Sequence, residues 1–415
     1  MQVFKFGGAS VKDAESVKNI VRILKHEGYD NTLIVISAMG KMTNAFEEII
    51  NAYFNKTSNL TASMDFVRSF HLKITTDLFE SKNQSILIEI EKLFGKLSGF
   101  LATNKIADYN YIYDQIVGFG ELLSTKIVSA YLNEVGISNN WIDVRDYIKT
   151  DNSYRNASIN WEKTGEKIQT LNTSNLYITQ GFLGSNTKKK TTTLGREGSD
   201  YSAAIFAYCL KAKNVTIWKD VDGVLNADPC YFENTLLLEQ ISYSEAIEMA
   251  FYGASVIHPK TLKPLENQNI PLYVRSFYNL NLKGTTVGKG HHLFPETPCF
   301  ILKQQQILVS IAALDFSFMV ENNLSEIFKI LHDTNLKVNL IQNSALSFSV
   351  CVEDKFNNFE LFLNKIKLKF KVNYIKNVSL YTIRHSTKNA IDLIETKGTV
   401  LLKQATKGTV QLVMQ

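Results

Sequence analysis

Lys5 ends the first apolar run of the chain, and Gly7-Gly8 follow after one phenylalanine. A cation beside backbone without side chains suits an anion, because glycine lets peptide N–H groups approach it closely and a following helix start adds positive potential. Taken alone, these residues fit a plain strand–turn–helix junction with a surface lysine better, since a pair of glycines is too short to be specific. A stronger string is Thr191-Thr192-Thr193-Leu194-Gly195-Arg196-Glu197-Gly198-Ser199-Asp200, in which two glycines flank an arginine and Ser199 or Asp200 can cap the next helix. An arginine next to a helix start is a receptor for a carboxylate or phosphate, and a capping turn alone would not need so many hydroxyls. Lys219-Asp220-Val221-Asp222-Gly223 follows the apolar run ending at Trp218. Its carboxylates could face a nucleotide or its magnesium, or could simply form the turn. The stretch 284–290 has one residue too few between its glycines for a P-loop, and Gly290 stands where Ser or Thr must hold magnesium.

These groups need a frame, and the hydrophobic pattern supplies one. Residues 3–6 predict a short strand. Asp13 can cap a helix whose Val17, Ile20, Val21 and Leu24 share a face, Gly28 can end it, and 33–36 form a fully apolar strand of the parallel-sheet kind. Further strands are expected at 176–179, 215–218 and 271–274, with helices at 120–134 and 200–210. This is an α/β pattern with a mostly parallel sheet, and its ligands belong beyond the carboxyl ends of the strands. A Gly-, Thr- and Pro-rich break covers 284–298. Beyond it come a strand at 307–313, a helix carrying Leu324, Ile327, Phe328 and Leu331, strands at 338–341 and 346–352, a helix near 359–368 and a strand near 372–375. A shorter run repeats that order: strand 379–384, helix 387–395, then strands 399–402 and 410–413. The expected divisions are 1–290, 298–378 and a truncated repeat, 379–415, the last two being ferredoxin-like units.

Composition removes several classes. The chain has 415 residues, 45% hydrophobic and 20% charged, the mix of a globular protein. A net charge of +5 without basic blocks argues against nucleic acid as a main partner. Lys188-Lys189-Lys190 reads as a solvated hairpin tip. The four cysteines are spread out and expected to be buried thiols, and the seven histidines suggest no metal site. No apolar run would span a bilayer and the amino terminus lacks a secretory layout, so a cytoplasmic protein is expected.

Taken in order, eight segments resemble the aspartate kinases of the amino-acid-kinase superfamily: KFGGAS (5–10), SAMGKMTN (37–44), GFGELLS (118–124), ITQGFLGS (178–185), TTTLGREGSDYSAA (191–204), IWKDVDGVLNADP (217–229), EMAFYGASVIHPKTLKP (248–264) and LYVRSFYNLNLKGTTV (272–287). The resemblance implies a three-layer α/β/α, carbamate-kinase-like catalytic domain followed by ACT domains. It implies transfer of the γ-phosphoryl group of ATP, bound with Mg²⁺, to the β-carboxylate of L-aspartate, the first step toward lysine, threonine and methionine. By that resemblance Lys5, Gly8 and Asp200 would be catalytic. Ser37, Thr43, Glu121, Arg196 and Ser199 would bind the substrate, Arg196 taking its α-carboxylate and Glu121 its α-ammonium. Gly7, Lys219, Asp220, Asp222, Gly223 and Lys260 would face the nucleotide. The β-carboxylate is already ionised at neutral pH, so no general base is required.

The chain departs from the family pattern in places. Glu197 replaces the second glycine of the usual GRGGSD, Ser255 a common lysine, and Cys230 an arginine, while Lys219 and Lys260 are extra cations in the same segments. Asn322, Asn339 and Ala345 stand where lysine-inhibited relatives often carry Gly, Asp and Glu. A cationic effector would miss an acidic partner there, so the tail is expected to serve homodimer formation more than strong lysine feedback. Two other readings are a superfamily kinase acting on glutamate, acetylglutamate, carbamate or a nucleoside monophosphate, and a non-catalytic sensor retaining the fold. The pairing of Glu121 with Arg196, suited to a free amino-acid zwitterion, favours the first reading over both.

Overall fold

A computed structural model of the chain describes residues 1–79, 84–254, 257–315 and 317–415. It divides into two compact units. The first comprises Met1–Val224, Leu237–Ile247 and Val256–Pro295, and the second Leu225–Leu236, Glu248–Ser255 and Glu296–Gln415. Two short segments inside the expected 1–290 domain therefore cluster with the carboxyl-terminal unit.

The first unit is built on an eight-stranded sheet in the order Asn140–Trp141, Tyr177–Gln180, Thr32–Ile36, Gln2–Phe6, Val215–Lys219, Leu272–Ser276, Thr285–Gly288, Gln240–Ser242. Every pairing is parallel except that of Thr285–Gly288 with Leu272–Ser276. Thr32–Ile36 is buried throughout, as a central strand covered on both faces must be. Asp13 caps the helix Ala14–Glu27 by accepting from Ser16 N at 2.7 Å, and Gly28, at φ 80°, ends it. The stretch 284–290 holds a strand of this sheet and no phosphate loop. Lys188, Lys189 and Lys190 do form a hairpin tip, between Leu183–Ser185 and Thr191–Thr193. The hydroxyls of that hairpin are structural: Thr192 Oγ1 lies 2.8 Å from Thr150 Oγ1, and Thr193 Oγ1 donates to Asp114 at 2.8 Å.

The second unit is a six-stranded antiparallel sheet held together by two 15-residue strands, Cys299–Ala313 and Phe370–Arg384. The expected boundary at 378/379 falls inside the second of these. One half of the sheet pairs 307–313 with Phe348–Glu353 and with 370–375, and Lys337–Asn343 lies outside Phe348–Glu353. This is the ferredoxin-like order read from the sequence. In the other half, residues 379–384 pair with Thr409–Met414 and, on their other side, with 299–303. The repeat that looks truncated in sequence thus takes its fourth strand from a segment preceding the first repeat. Its small core joins Ile383, Ile394, Val410 and Leu412 to Ala227 and Phe232. Phe232 stacks on Phe300 at 5.3 Å and meets Tyr381 edge-on at 6.4 Å.

Among the described residues no helix is long and apolar enough to cross a membrane, and no cluster of three metal-ligating side chains occurs. Three cysteines are buried as expected; Cys230 is exposed.

Phe232→Ala removes a buried ring from this small core and is expected to destabilise the second unit by about 3–5 kcal/mol. Hydrogen exchange checks this: amides of Thr409–Met414 should lose protection while those of Thr32–Ile36 keep theirs.

Candidate active site

Gln2–Phe6, Thr32–Ile36, Tyr177–Gln180 and Val215–Lys219 run parallel, so their carboxyl ends lie together. Lys5, Ser37 and Lys219 at those ends line a cavity of about 470 Å³. Its floor is the start of the helix Gly198–Leu210, where Gly198, Ser199 and Asp200 are buried. Glu121, in the first turn of the helix Phe119–Glu134, and Thr43, near the start of Met42–Phe54, close another side. A helix start with exposed peptide N–H groups favours negative charge, as an anion site requires.

Charge in the cavity is arranged in two groups. Lys5 Nζ lies 2.6 Å from Asp200 Oδ1, and Lys219 Nζ lies 3.8 Å from Asp200 Oδ2, both lysines being largely buried. Burial acts to raise the Asp200 pKa, but Lys5 and then Lys219 outweigh it and hold the carboxyl below the usual range. Asp200 thus faces two ammonium groups, and the Glu197 carboxyl also feels the charge of both lysines. The second group is Glu121 with Arg196. Glu121 is 3% exposed, its Oε2 has no hydrogen-bond partner, and burial lifts its pKa to about 7 against hydrogen bonds from its own backbone and that of Ala38. A buried carboxyl oxygen without a partner is costly and is relieved by a cationic group entering the cavity. Arg196 lines the same cavity and is exposed.

Eight of the residues singled out in sequence, Lys5, Ser37, Thr43, Glu121, Arg196, Ser199, Asp200 and Lys219, therefore share one cavity. Six others do not line it. Gly8 has a packing role, since a Cβ there would stand 2.6 Å from the Gly40 carbonyl oxygen. Gly7 lies between it and the strand end. Gly223 is hemmed by Thr285, whose Oγ1 would be 2.6 Å from an added Cβ. Asp220 and Asp222 are exposed in the turn before it, the turn-forming alternative left open by their sequence. Lys260 donates to Asn156 Oδ1. Cys230 belongs to the second unit, and Ser255 lies outside the described residues.

Tyr113, Arg155 and Phe182 line the cavity without having been apparent from sequence. Phe182 lies within the segment 178–185 but is not singled out there, and no local motif marks Tyr113 or Arg155, which come from a helix and a loop that only tertiary packing brings together. Glu197, noted in sequence only as a departure, also lines it. Its backbone is left-handed at φ 52°, its Oε2 is buried without a hydrogen-bond partner, and burial followed by the neighbouring Asp200 charge raises its pKa.

Residues 1–276 match the amino acid kinase family. The lysine-sensitive aspartokinase 3 of Escherichia coli is 32% identical over 355 residues, 85% of this chain and 78% of that protein. The chain belongs to the amino acid kinase family, among its aspartokinases. A bifunctional aspartokinase/homoserine dehydrogenase 2 from Arabidopsis thaliana chloroplasts is 30% identical over 84% of the chain, which spans only 39% of that relative's length. Among solved structures, E. coli aspartokinase III with lysine and aspartate superposes with a TM-score of 0.83 at 27% identity, covering 100% of this chain and 96% of that one. The same enzyme with aspartate and ADP gives 0.81 at 26%, with the same coverage. The α/β unit with its mostly parallel sheet is thus an amino-acid-kinase fold, followed by an antiparallel carboxyl-terminal sheet resembling an ACT unit.

Proposed function

We propose that this protein is an aspartate kinase, transferring the γ-phosphoryl group of ATP to the β-carboxylate of L-aspartate. The observation that carries the reading is the single cavity shared by Glu121 with its unpartnered oxygen, Arg196, and the Lys5–Asp200–Lys219 cluster. An ammonium on Glu121 and a carboxylate on Arg196 hold a free amino acid by both ends of its zwitterion. The distal carboxylate is then directed toward Lys5 and Lys219, whose charge suits a phosphoryl group. That carboxylate is its own nucleophile, so catalysis reduces to alignment and to cations around the transferring group. Asp200 holds Lys5 in place at 2.6 Å. Mg²⁺ enters with the nucleotide, and its chemistry is neutralisation of the terminal phosphates. The Glu197 carboxyl beside Asp200 fits a cation carried in that way. Carbamate, acetylglutamate or a nucleoside monophosphate offers no ammonium to Glu121; glutamate does, and the hydroxamate assay run with each amino acid separates it from aspartate.

The second unit is read as an assembly element forming a homodimer. It exposes Phe318, Val320, Ile341 and Leu346, apolar surface that a second copy would cover. Asn339, one of the positions that lack the acidic residue of lysine-inhibited relatives, is occupied by the chain itself. Its Oδ1 accepts from Lys303 Nζ at 2.9 Å and its Nδ2 donates to Gln306 at 2.7 Å.

With aspartate and Mg-ATP, a hydroxylamine trap is expected to collect an aspartyl hydroxamate. Lys5→Ala should lower kcat by about 10²–10³ in the same assay; absence of hydroxamate from the wild type would defeat the activity assignment. The pH profile follows from Glu121. Only its ionised form accepts the substrate ammonium, so kcat/KM for aspartate should fall as pH drops below about 7. Glu121→Gln should abolish that limb together with most aspartate affinity. The sign for the free fold is opposite: a carboxyl raised from 4.5 to about 7 makes ionisation cost stability as pH rises through that window. Added lysine is expected to leave the aspartate saturation curve unmoved, and sedimentation to report a dimer; a strongly shifted curve would contradict the reading of Asn339.

A further inference from the structure

A second arginine enters the cavity from a loop remote in sequence from Arg196. Arg155 has a left-handed backbone at φ 65°, a conformation that side chains with a Cβ adopt at a cost and keep only where their surroundings impose it. Here the surroundings do impose it. Arg155 N donates to both oxygens of Asp114, at 3.0 and 3.2 Å, and the same buried carboxyl accepts from Thr193 N at 2.9 Å and Thr193 Oγ1 at 2.8 Å. The guanidinium lies 4.3 Å from the centre of the Tyr113 ring, and the Tyr113 hydroxyl is tied to Glu47 at 2.8 Å, so the stacking platform is itself fixed. The Arg155 carbonyl oxygen is 3.3 Å from where a Cβ on Gly195 would stand, so the backbones bearing Arg155 and Arg196 abut. A surface arginine resting on a tyrosine would need neither the left-handed backbone nor the buried anchor. The helix Tyr109–Val117, which carries Tyr113 and Asp114, runs almost directly into Phe119–Glu134, which carries Glu121. Arg155, Arg196 and Glu121 line the same cavity.

We propose that Arg155 and Arg196 form a two-guanidinium clamp for a dicarboxylic amino acid, with Arg155 taking the distal carboxylate. This rests on the aspartate reading above and adds a specificity-determining residue to it. A guanidinium holding one oxygen of that carboxylate leaves the other free to face the γ-phosphorus, and a neutral distal amide forfeits the charge-assisted bond. The test is saturation kinetics of Arg155→Ala and Arg155→Lys in aspartate and in Mg-ATP, with L-asparagine as a competing ligand. Arg155→Ala should raise KM for aspartate roughly 10–100-fold while leaving KM for Mg-ATP about unchanged. Asparagine should compete equally well against the wild type and Arg155→Ala, and Arg155→Lys should recover part of the aspartate affinity. An unchanged KM for aspartate overturns the clamp. So does a rise in KM for Mg-ATP instead, which would place the guanidinium on the nucleotide, or an equal weakening of aspartate and asparagine, which would mark a general loss of pocket shape. A wild type inactive toward aspartate sinks both readings, whereas an active wild type with an unaffected Arg155→Ala sinks the clamp alone.

Discussion

The ion pair between Lys5 and Asp200 is the contact on which the site depends. It joins the carboxyl end of one strand to the first turn of the helix Gly198–Leu210 in a place where neither charge is well hydrated. Removing either partner would strand the other as a buried charge, which is far costlier than removing both. The pair therefore fixes the relative position of strand end and helix start. Lys219 also leans on Asp200, so two ammonium groups stand at the point where the helix start already favours an anion. The same carboxyl organises both lysines.

Glu121 works by the opposite arrangement. Asp200 has Lys5 as a counter-ion at 2.6 Å, whereas Glu121 is buried with no counter-ion and an oxygen left over, and its raised pKa reports the cost. A cavity that contains one ion pair and one carboxyl without a counter-ion is polarised: one end is poised for anionic groups, the other for a cation. Glu197 blurs that division, bringing a second unpartnered carboxyl oxygen near the lysines. Its left-handed backbone is of the kind a glycine would adopt freely, so the side chain is retained against a conformational preference.

How much of this was legible in the sequence follows from where each group is anchored. Lys5, Ser37 and Lys219 sit at the ends of strongly patterned strands, and Glu121 and Asp200 in the first turns of helices. Local pattern placed those elements, and parallel topology then brought their ends together. Asp220 and Asp222 follow the same strand end and lie exposed in the turn after it, where local sequence leaves turn and ligand roles undecided. Arg155 and Tyr113 carried no signal because their position depends on Asp114 receiving bonds from two distant segments. The hydroxyl run at Thr191–Thr193 misled for a related reason: polar residues suited to a ligand are equally suited to satisfying a buried hairpin. The strand 299–303 was missed as a partner of 379–384 because β pairing is non-local, and period-two alternation says which face a residue takes but not which strand lies beside it.

That non-local pairing also explains the polar seam of the second unit. Two halves that share the strands Cys299–Ala313 and Phe370–Arg384 must accommodate a change of register where one half gives way to the other. The shifts occur between Lys303 and Gln306 and again between Gln306 and Leu308, while a further irregularity lies between Val338 and Leu340, around Asn339. Lys303, Gln306 and Asn339 are the residues that hydrogen-bond to one another there. Burial, and then the charge of Lys337, lower the Lys303 pKa to about 8, so the ammonium is held with little compensation from carboxylates. A bulge frees backbone groups and redirects side chains, and in a half-buried sheet those groups need partners. Gln306 Nε2 donates to the Gln304 carbonyl oxygen at 2.9 Å, and the three side chains bond to one another, which leaves Asn339 committed to the sheet.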